Sequence, residues 1–354
     1  MSNSAIKTGT YRGYIRYKII IITFLGIVTI AAALFAISAG SAGLSVKEVA
    51  LTLLGKGTEQ NRTVIFGIRL PRIAAAAVAG IDLATTGCAM QSILRNPLAS
   101  ASTLGVSQGA AFGAAFAIVI LGAGVQFQTS DGLQVQNPYL VSICAFILSM
   151  FSTFVVLGLS RFRKISPEAM VLSGVALSAL FSGGTTLMQY FADDVSLAAI
   201  VFWTFGDLGR ASWQQVGLMA GVTLLGFVYF MFNRWNYNAL QNGENTAKGL
   251  GVNVDSMRIV GMVICSLTAS VIVSFVGIIN FIGLIAPHFM RRFIGGDYRF
   301  LLPASAILGA LLLLLSDTLA RTAVAPVVLP IGAITSFLGA PLFLYLLFKG
   351  VANK

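Results

Sequence analysis

Arg234-Trp-Asn-Tyr-Asn-Ala-Leu-Gln-Asn-Gly-Glu-Asn-Thr-Ala-Lys-Gly-Leu-Gly-Val-Asn-Val-Asp-Ser-Met-Arg258 is a polar island in an otherwise almost continuously apolar chain. Asn236 or Asn238 can cap one short helix, which Gly243 ends. Asn245 can cap a second, stopped by Gly249 and Gly251, and Asp255 can cap the long apolar helix that follows. Two short helices at a bend form a knob carrying Ala239, Leu240, Ala247 and Leu250 on a polar body. A connection between two spans needs only a few residues. A connection this long, with structure of its own, points to a partner that reads it.

Around the island, the 354 residues are 57% hydrophobic and 10% charged, with a mean hydropathy of +0.87. A soluble domain carries about 25% charge, so the chain is an all-α polytopic membrane protein. The net charge of +11 reflects basic residues at span ends, as the positive-inside rule requires, and not a nucleic-acid surface. Cys88, Cys144 and Cys265 lie within apolar runs at unrelated spacings, as packing residues do, and indicate neither disulfide nor metal. The polar, basic start lacks an Ala-x-Ala site after the first apolar run, so that run is read as a retained span.

An apolar helix of about 20 residues crosses the ~30 Å hydrocarbon layer. Basic clusters fall at Lys7/Arg12/Arg16/Lys18, Arg95, Arg161/Arg163/Lys164, Arg234/Lys248/Arg258, Arg291/Arg292/Arg299 and Lys349/Lys354. Each interval between these cytoplasmic anchors holds an even number of crossings and has length for two. The sum is about ten spans with both termini cytoplasmic. Residues 258–291 would run about 50 Å as one helix, so the chain must turn near 277–280 into two short spans. The outer segments are then 39–69, 122–138, 191–213, that turn, and 320–330. Sixteen of the 23 Lys and Arg fall inside and seven outside. Gly109-xxx-Gly113 and Gly217-xxx-Gly221 are helix-packing pairs.

Several motifs carry or exclude chemistry. Residues 44–54 read as a short amphipathic helix on the outer surface. Gly55-Lys56-Gly57-Thr58 lacks the first glycine and the preceding strand of a phosphate loop. With no complete Walker motif, any ATP must be bound by another chain. Arg69-Leu-Pro-Arg72 either anchors in headgroups or presents two guanidinium forks to carboxylates of a partner. Ser166, Pro167 and Glu168 make a helix start with cap, first-turn proline and dipole-complementing acid. A short helix is expected around 197–205. The single histidine, His288, has no second ligand near it and reads as a structural hydrogen-bonding group. Asp82 lies near mid-membrane, where a carboxylate costs roughly 2.5–3.5 kcal/mol; it must find a partner, with Thr85 and Thr86 one turn away, or give up its charge. It is either a packing group or a polar contact in a transport pathway.

Taken together, Arg-Leu-Pro-Arg (69–72), Gln91 with Arg-Asn-Pro-Leu-Ala (95–99), Leu-Gly-Val-Ser-Gln-Gly (104–109), Ala-Lys-Gly-Leu-Gly-Val (247–252), Phe-Ile-Gly-Leu-Ile-Ala-Pro-His (281–288), Leu-Pro-Ile-Gly (329–332) and Leu-Gly-Ala-Pro (338–341) span nearly the whole chain. On these residues the chain resembles the permease subunits of importers for iron–siderophores, haem and vitamin B12, the FecCD/BtuC type. The resemblance implies a type II ABC importer permease fold over a single transmembrane unit, 1–354. It further implies a homodimer or pseudo-dimer with a central pathway, two ATP-binding subunits beneath and a substrate-binding protein above. Arg69, Arg72 and Arg321 then match arginines that receive acidic residues of the binding protein. Leu240, Glu244, Ala247, Leu250 and Gly251 match the ATPase-coupling helices. Ser166, Pro167 and Glu168 match the cytoplasmic gate, and Asp82 and Gln91 are possible pathway groups, Asp82 departing from the family's small apolar residue. The chain itself is expected to hold no catalytic centre, metal or cofactor, with ATP and magnesium in the partner, and to lie in the cytoplasmic (inner) membrane. The expected cargo is an iron(III)–siderophore, with haem and cobalamin as alternatives. A proton-coupled secondary transporter is a remote alternative, needing buried ionisable relays of which only Asp82 stands out.

Overall fold

A computed structural model describes residues 11–40, 44–123, 125–128, 132–135, 138–163 and 166–351. The predicted anchors Lys7, Lys164 and Lys354 lie outside them. In chain order the elements are α1 (Tyr11–Ser38), α2 (Val46–Leu53), α3 (Glu59–Arg62), a π-helical stretch (Thr63–Arg69) running into α4 (Leu70–Ile93), a 3-10 turn (Ala101–Leu104), α5 (Val106–Val119), the antiparallel hairpin β1–β2 (Val125–Gln128, Gly132–Val135), α6 (Pro138–Arg163), α7 (Pro167–Phe191), α8 (Asp194–Thr204), a 3-10 turn (Leu208–Arg210), α9 (Trp213–Phe232), α10 (Arg234–Gln241), α11 (Glu244–Gly249), α12 (Val254–Val276), α13 (Ile282–Ile294), α14 (Tyr298–Thr322) and α15 (Ile331–Val351). Seven helices of the described residues are long and apolar enough to cross a membrane alone. With α5, α13 and α15 they make the ten crossings read from the sequence.

The turn expected near 277–280 is present, but the two spans it joins are unequal. α12 has 23 residues, about 34 Å, whereas α13 has 13, about 20 Å. Gly277 ends α12 at φ +78°, and a side chain there would meet the Trp203 carbonyl oxygen at 2.6 Å. Gly206 sits against Ile278 in the same way, at 2.7 Å. The turn is thus seated backbone-on-backbone between the end of α8 and the start of α15, which leaves no room for a longer α13.

α4 is the centre of the bundle and packs against α9, α12, α13 and α14. Lipid supplies no hydrophobic drive between helices, so they hold through close backbone approach. A Cβ on Gly80 would come within 2.4 Å of the Gly309 oxygen, and one on Gly309 within 2.2 Å of the Gly80 oxygen. One turn pair further along, Gly87 faces the Gly283 oxygen at 1.9 Å. These notches set α4 against α14 and α13. Gly109 and Gly113 do the same for α5 against α6, at Leu148 and Cys144, as the motif predicted. Gly217 and Gly221 instead face open space, with nothing within 4 Å; the helix packing expected of that pair is not found among the described residues.

Local signals are obeyed outside the bundle. Ser45 and Glu48 form a capping box on α2. The hydrogen bonds Glu48 accepts from Ser45 hold its carboxyl below the usual range. α8 covers the helix expected at 197–205 and is capped by Asp193.

A glycine notch and an open glycine should respond oppositely to the same change. Gly80→Val is expected to destabilise the protein by at least about 1–3 kcal/mol, the usual cost of overpacking. Gly217→Val is expected to be near neutral, with thermal unfolding in detergent as the measurement.

Candidate functional site

The polar island folds as the two short helices α10 and α11 at the end of the bundle where α9 stops and α12 starts. Its caps differ from those expected. Asn233 precedes α10 and Gly243 precedes α11, so Asn236, Asn238 and Asn245 lie inside helices. Asn253, not Asp255, caps α12 by accepting from the Ser256 amide at 3.0 Å. Asn238 is spent elsewhere: its Oδ1 accepts from the Tyr298 amide at 2.7 Å, and its Nδ2 donates to Asp297 at 3.2 Å. The island therefore caps a distant helix, α14, with a residue suited to capping its own. Burial opposes ionisation of Asp297, yet hydrogen bonds from Arg299 and Asn238 outweigh it and hold the carboxyl below its usual range. Its contribution to stability is thus complete above the unfolded-state value and lost as pH falls through the folded one.

Of the five residues expected to form the coupling face, two are turned inward. Leu240 and Ala247 are fully buried in the chain's own core, and Ala239 is buried beside them. They lie on the inner faces of α10 and α11, toward the bundle, where α10 packs on α4 and α14 and α11 on α12. Glu244 is ion-paired to Arg258 of α12. Leu250 is 69% exposed and stands beside exposed Gly251 at the tip, an apolar side chain on a polar surface.

At the opposite end, the structure gathers Arg69, Arg72 and Arg321 into one cluster, as the sequence suggested, but the forks do not project. Asp317, itself 1% exposed, takes Arg72 Nε on one oxygen at 2.8 Å and Arg321 Nε on the other at 2.9 Å. Arg72 also lies 3.7 Å from Asp207. Arg321 donates to the carbonyls of Ala36 and Ala39, and Arg69 to those of Ile37 and Ser38. Guanidinium groups thus satisfy the carbonyls that the C-terminus of α1 leaves unpaired, where the helix dipole favours positive charge. Among the described residues three arginines face two carboxylates, and Arg69 is the one that pairs with neither. Asp317 was missed as a site residue although its spacing four residues before Arg321 is a helical ion-pair signal.

Ser166, Pro167 and Glu168 start α7 as predicted, Ser166 Oγ accepting from the Ala169 amide at 3.3 Å and Pro167 in the first turn. Both expected pathway groups are enclosed. Asp82 is 2% exposed and accepts from Thr223 of α9 at 3.4 Å. Its partner comes from another helix: Thr86 bonds carbonyls of its own helix, and the buried Thr85 hydroxyl makes no hydrogen bond among the described residues. Gln91 is held between Arg291, at 3.1 Å, and the Leu284 carbonyl. In this conformation each ties helices together and neither meets an open surface. His288 meets Phe343 edge-on, and no hydrogen bond to it is found among the described residues. Among the described residues no three His, Cys, Asp or Glu side chains gather as a metal would need.

Removing one member of a buried charge pair leaves the other uncompensated, typically costing 3–5 kcal/mol. Asp317→Ala strands two guanidiniums and is expected to destabilise by about that amount in chemical or thermal unfolding, far more than Asp255→Ala at an exposed carboxylate.

Comparison with known proteins matches residues 28–349 to the FecCD transport family. A Methanocaldococcus jannaschii protein assigned to the ABC transporter permeases is 52% identical over 96% of this chain and 97% of its own. The haemin transport system permease of Yersinia pestis is 37% identical over 80% of this chain and 82% of its own. The Fe(3+)-citrate import permease of Bacillus subtilis is 35% identical over 92% and 94%. A solved structure assigned as a metal-chelate type ABC transporter, in an inward-facing conformation, superposes with a TM-score of 0.79 at 30% identity, covering 94% of this chain and 99% of that one. Ten crossings, the α10–α11 knob and this agreement along the whole bundle lead to one conclusion: the chain belongs to the FecCD transport family.

Proposed function

We propose that this chain is the membrane permease of an ATP-driven importer that carries an iron(III) chelate, of the siderophore or citrate kind, into the cytoplasm. The observation that carries the reading is the knob: a structured, polar α10–α11 pair with exposed Leu250 at its tip, on a chain that contains no phosphate loop of its own. Such a surface fits a cleft of a soluble ATP-binding subunit, which would hold ATP and magnesium. The bias of basic residues puts the knob and both termini on the cytoplasmic side of the cell membrane.

The cargo class follows from relatives that carry haemin and Fe(3+)-citrate and from the surface of α7. Residues 169–192 contain no charged side chain. The exposed face of α7 offers Ala176, Ala179, Ser182, Gly183 and Thr186 among aliphatic groups. A wall this weakly polar lets a bulky chelate pass without holding it, so affinity rests with a separate binding protein. A second permease copy would face α7 across the pathway, and Ser166–Pro167–Glu168 would form its cytoplasmic gate.

Docking of the binding protein is assigned to the Arg69, Arg72 and Arg321 end, with the positive surplus centred on Arg69. Arg72 and Arg321 are committed to Asp317, and Arg69, only 6% exposed, to the Ile37 and Ser38 carbonyls, so an external carboxylate at Arg69 would displace carbonyl bonds but break no ion pair. Arg69→Gln is expected to slow binding-protein association about tenfold, most strongly at low salt, and to lower the melting temperature by less than Arg72→Gln, which breaks an ion pair. Surface plasmon resonance and thermal unfolding separate the two, and unchanged association in folded Arg69→Gln would remove the assignment.

The reading as a whole is tested in proteoliposomes with the ATP-binding subunit and the binding protein, using radiolabelled ferric citrate and a ferric hydroxamate as cargo. Uptake should require ATP, and Leu250→Asp should weaken co-purification of the ATP-binding subunit at least tenfold, as expected for an interface anchor. Uptake driven by a proton gradient without the ATP-binding subunit would refute it.

A further inference from the structure

The knob is not a loop resting on the bundle. α10 is keyed into it by one aromatic ring and two amides: the amides reach α4 and the start of α14, and the ring packs among α9, α12 and α14. Tyr237 is fully buried, with its ring stacked on Tyr298 of α14 at a centroid distance of 4.9 Å and 14° between planes. Its other face meets Phe230 of α9 edge-on at 5.8 Å, and its hydroxyl reaches Gly261 of α12, where a side chain would collide with it at 2.8 Å. Asn238 holds the Tyr298 amide and Asp297 at the start of α14. Gln241 donates to Ser92 Oγ near the end of α4 at 3.2 Å.

α7 stands apart from this joint. It packs on α5, α6 and the 3-10 turn Ala101–Leu104, and the capping contact of Ser166 is internal to its own first turn. Gly174 of α7 is notched onto that 3-10 turn, a Cβ there falling 2.1 Å from the Thr103 oxygen. The 3-10 turn in turn packs against α4 and α12.

We infer that the Tyr237–Tyr298 stack, with Asn238 and Gln241, is the rigid joint through which displacement of the knob enters the membrane domain. The displacement passes first to α4, α12 and α14, and reaches α7 through the 101–105 turn and through α5 and α6, which pack between α12 and α7. The inference rests on the importer reading above and adds to it the residues that transmit the motion. Tyr237 and Tyr298 are positioning residues: they touch neither cargo nor nucleotide. Close-packed interiors shift between discrete arrangements and do not deform continuously, so a ring wedged between α9, α12 and α14 moves them together. The Tyr237 hydroxyl has no hydrogen-bond partner, so the ring alone carries the role.

The experiment uses the complete complex with its ATP-binding subunits in lipid nanodiscs, in a Cys144→Ser background. A spin label at Leu172→Cys, on the exposed face of α7, reports the distance between permease copies with and without ATP–vanadate. Wild type should show an ATP-dependent shift. Tyr237→Ala should recruit the ATP-binding subunit normally and hydrolyse ATP, yet lose at least half of that shift and about tenfold in ferric citrate uptake. Tyr237→Phe should match wild type. An undiminished shift in Tyr237→Ala, or a Phe variant as impaired as the Ala variant, overturns the proposal. Failure of Tyr237→Ala alone to recruit the ATP-binding subunit also overturns it, because the ring would then only shape the docking surface. Should Tyr237→Ala not fold, the oxidised Ser92→Cys/Gln241→Cys pair decides. A rigid joint predicts an unaltered shift when α10 is bonded to α4, and loss of the shift on oxidation refutes it. A wild-type chain that recruits no ATP-binding subunit would instead fail the importer reading itself.

Discussion

The contact between α4 and α14 is the constraint from which the rest of the architecture follows. In water, two apolar helices are pushed together; in lipid they are not, and must gain from close packing and from polar pairs kept away from hydrocarbon. Here the two kinds of tie occur at different heights on one pair of rods. At mid-height Gly80 and Gly309 bring the backbones together. At one end Asp317 of α14 receives Arg72 of α4, and at the other α10 is bonded to both, through Ser92 and the Tyr298 amide. α12 and α13 close around this pair, and α1 leans on α14 with its terminal carbonyls held by Arg69 and Arg321.

Much of this was legible in the chain. The alternation of basic clusters and apolar runs gave the number of helices and the turn after Val276, because charge and hydropathy act on every span independently of its neighbours. Ser45, Ser166 and Pro167 were legible for the same reason, since a cap is decided within four residues. What misled was any residue whose partner is distant in sequence. Asn238 has the chemistry of a cap but finds the free amide of Tyr298, sixty residues on. Thr85 and Thr86 look like partners for Asp82, yet Thr86 bonds carbonyls of its own helix and the Asp82 carboxyl accepts from Thr223 of α9, 141 residues on. Leu240 and Ala247 have the composition of an interface and the burial of a core, a distinction that periodicity over a six- or eight-residue helix cannot make.

The arginine cluster illustrates how a correct grouping can hide a wrong orientation. Sequence placed Arg69, Arg72 and Arg321 at the same end of the bundle, and the structure agrees. A guanidinium at a membrane boundary, however, does not wait for a partner from outside. Desolvated charge is costly until paired, and Asp317, one turn from Arg321, is present in every copy of the chain. The two oxygens of a carboxylate let it satisfy two arginines, here the Nε of Arg72 on one and the Nε of Arg321 on the other. The residual charge then falls on the arginine that has only carbonyls for company, which is Arg69. A cluster that balances all but one of its charges is stable alone and still attractive to an acid.

The two polar ends lie on the same rigid pair of helices, and that gives the proposed mechanism its physical content. A binding protein drawn to Arg69 acts where α4 begins, and a nucleotide-driven subunit acting on the knob reaches α4 where it ends. Between them α4 is almost wholly enclosed, with glycine notches at Gly80 and Gly87 that admit no side chain. A helix confined in this way can slide or tilt as a unit but cannot bend locally without opening those contacts. Force applied at one end is therefore felt at the other without any chain of individually adjusting side chains. α7, the proposed gate helix, lies outside this rigid pair and reaches it by way of the 101–105 turn, α5 and α6. Its residues 169–192 carry none of the charge that fixes α4 to α14, so a shift of this stretch would break no ion pair.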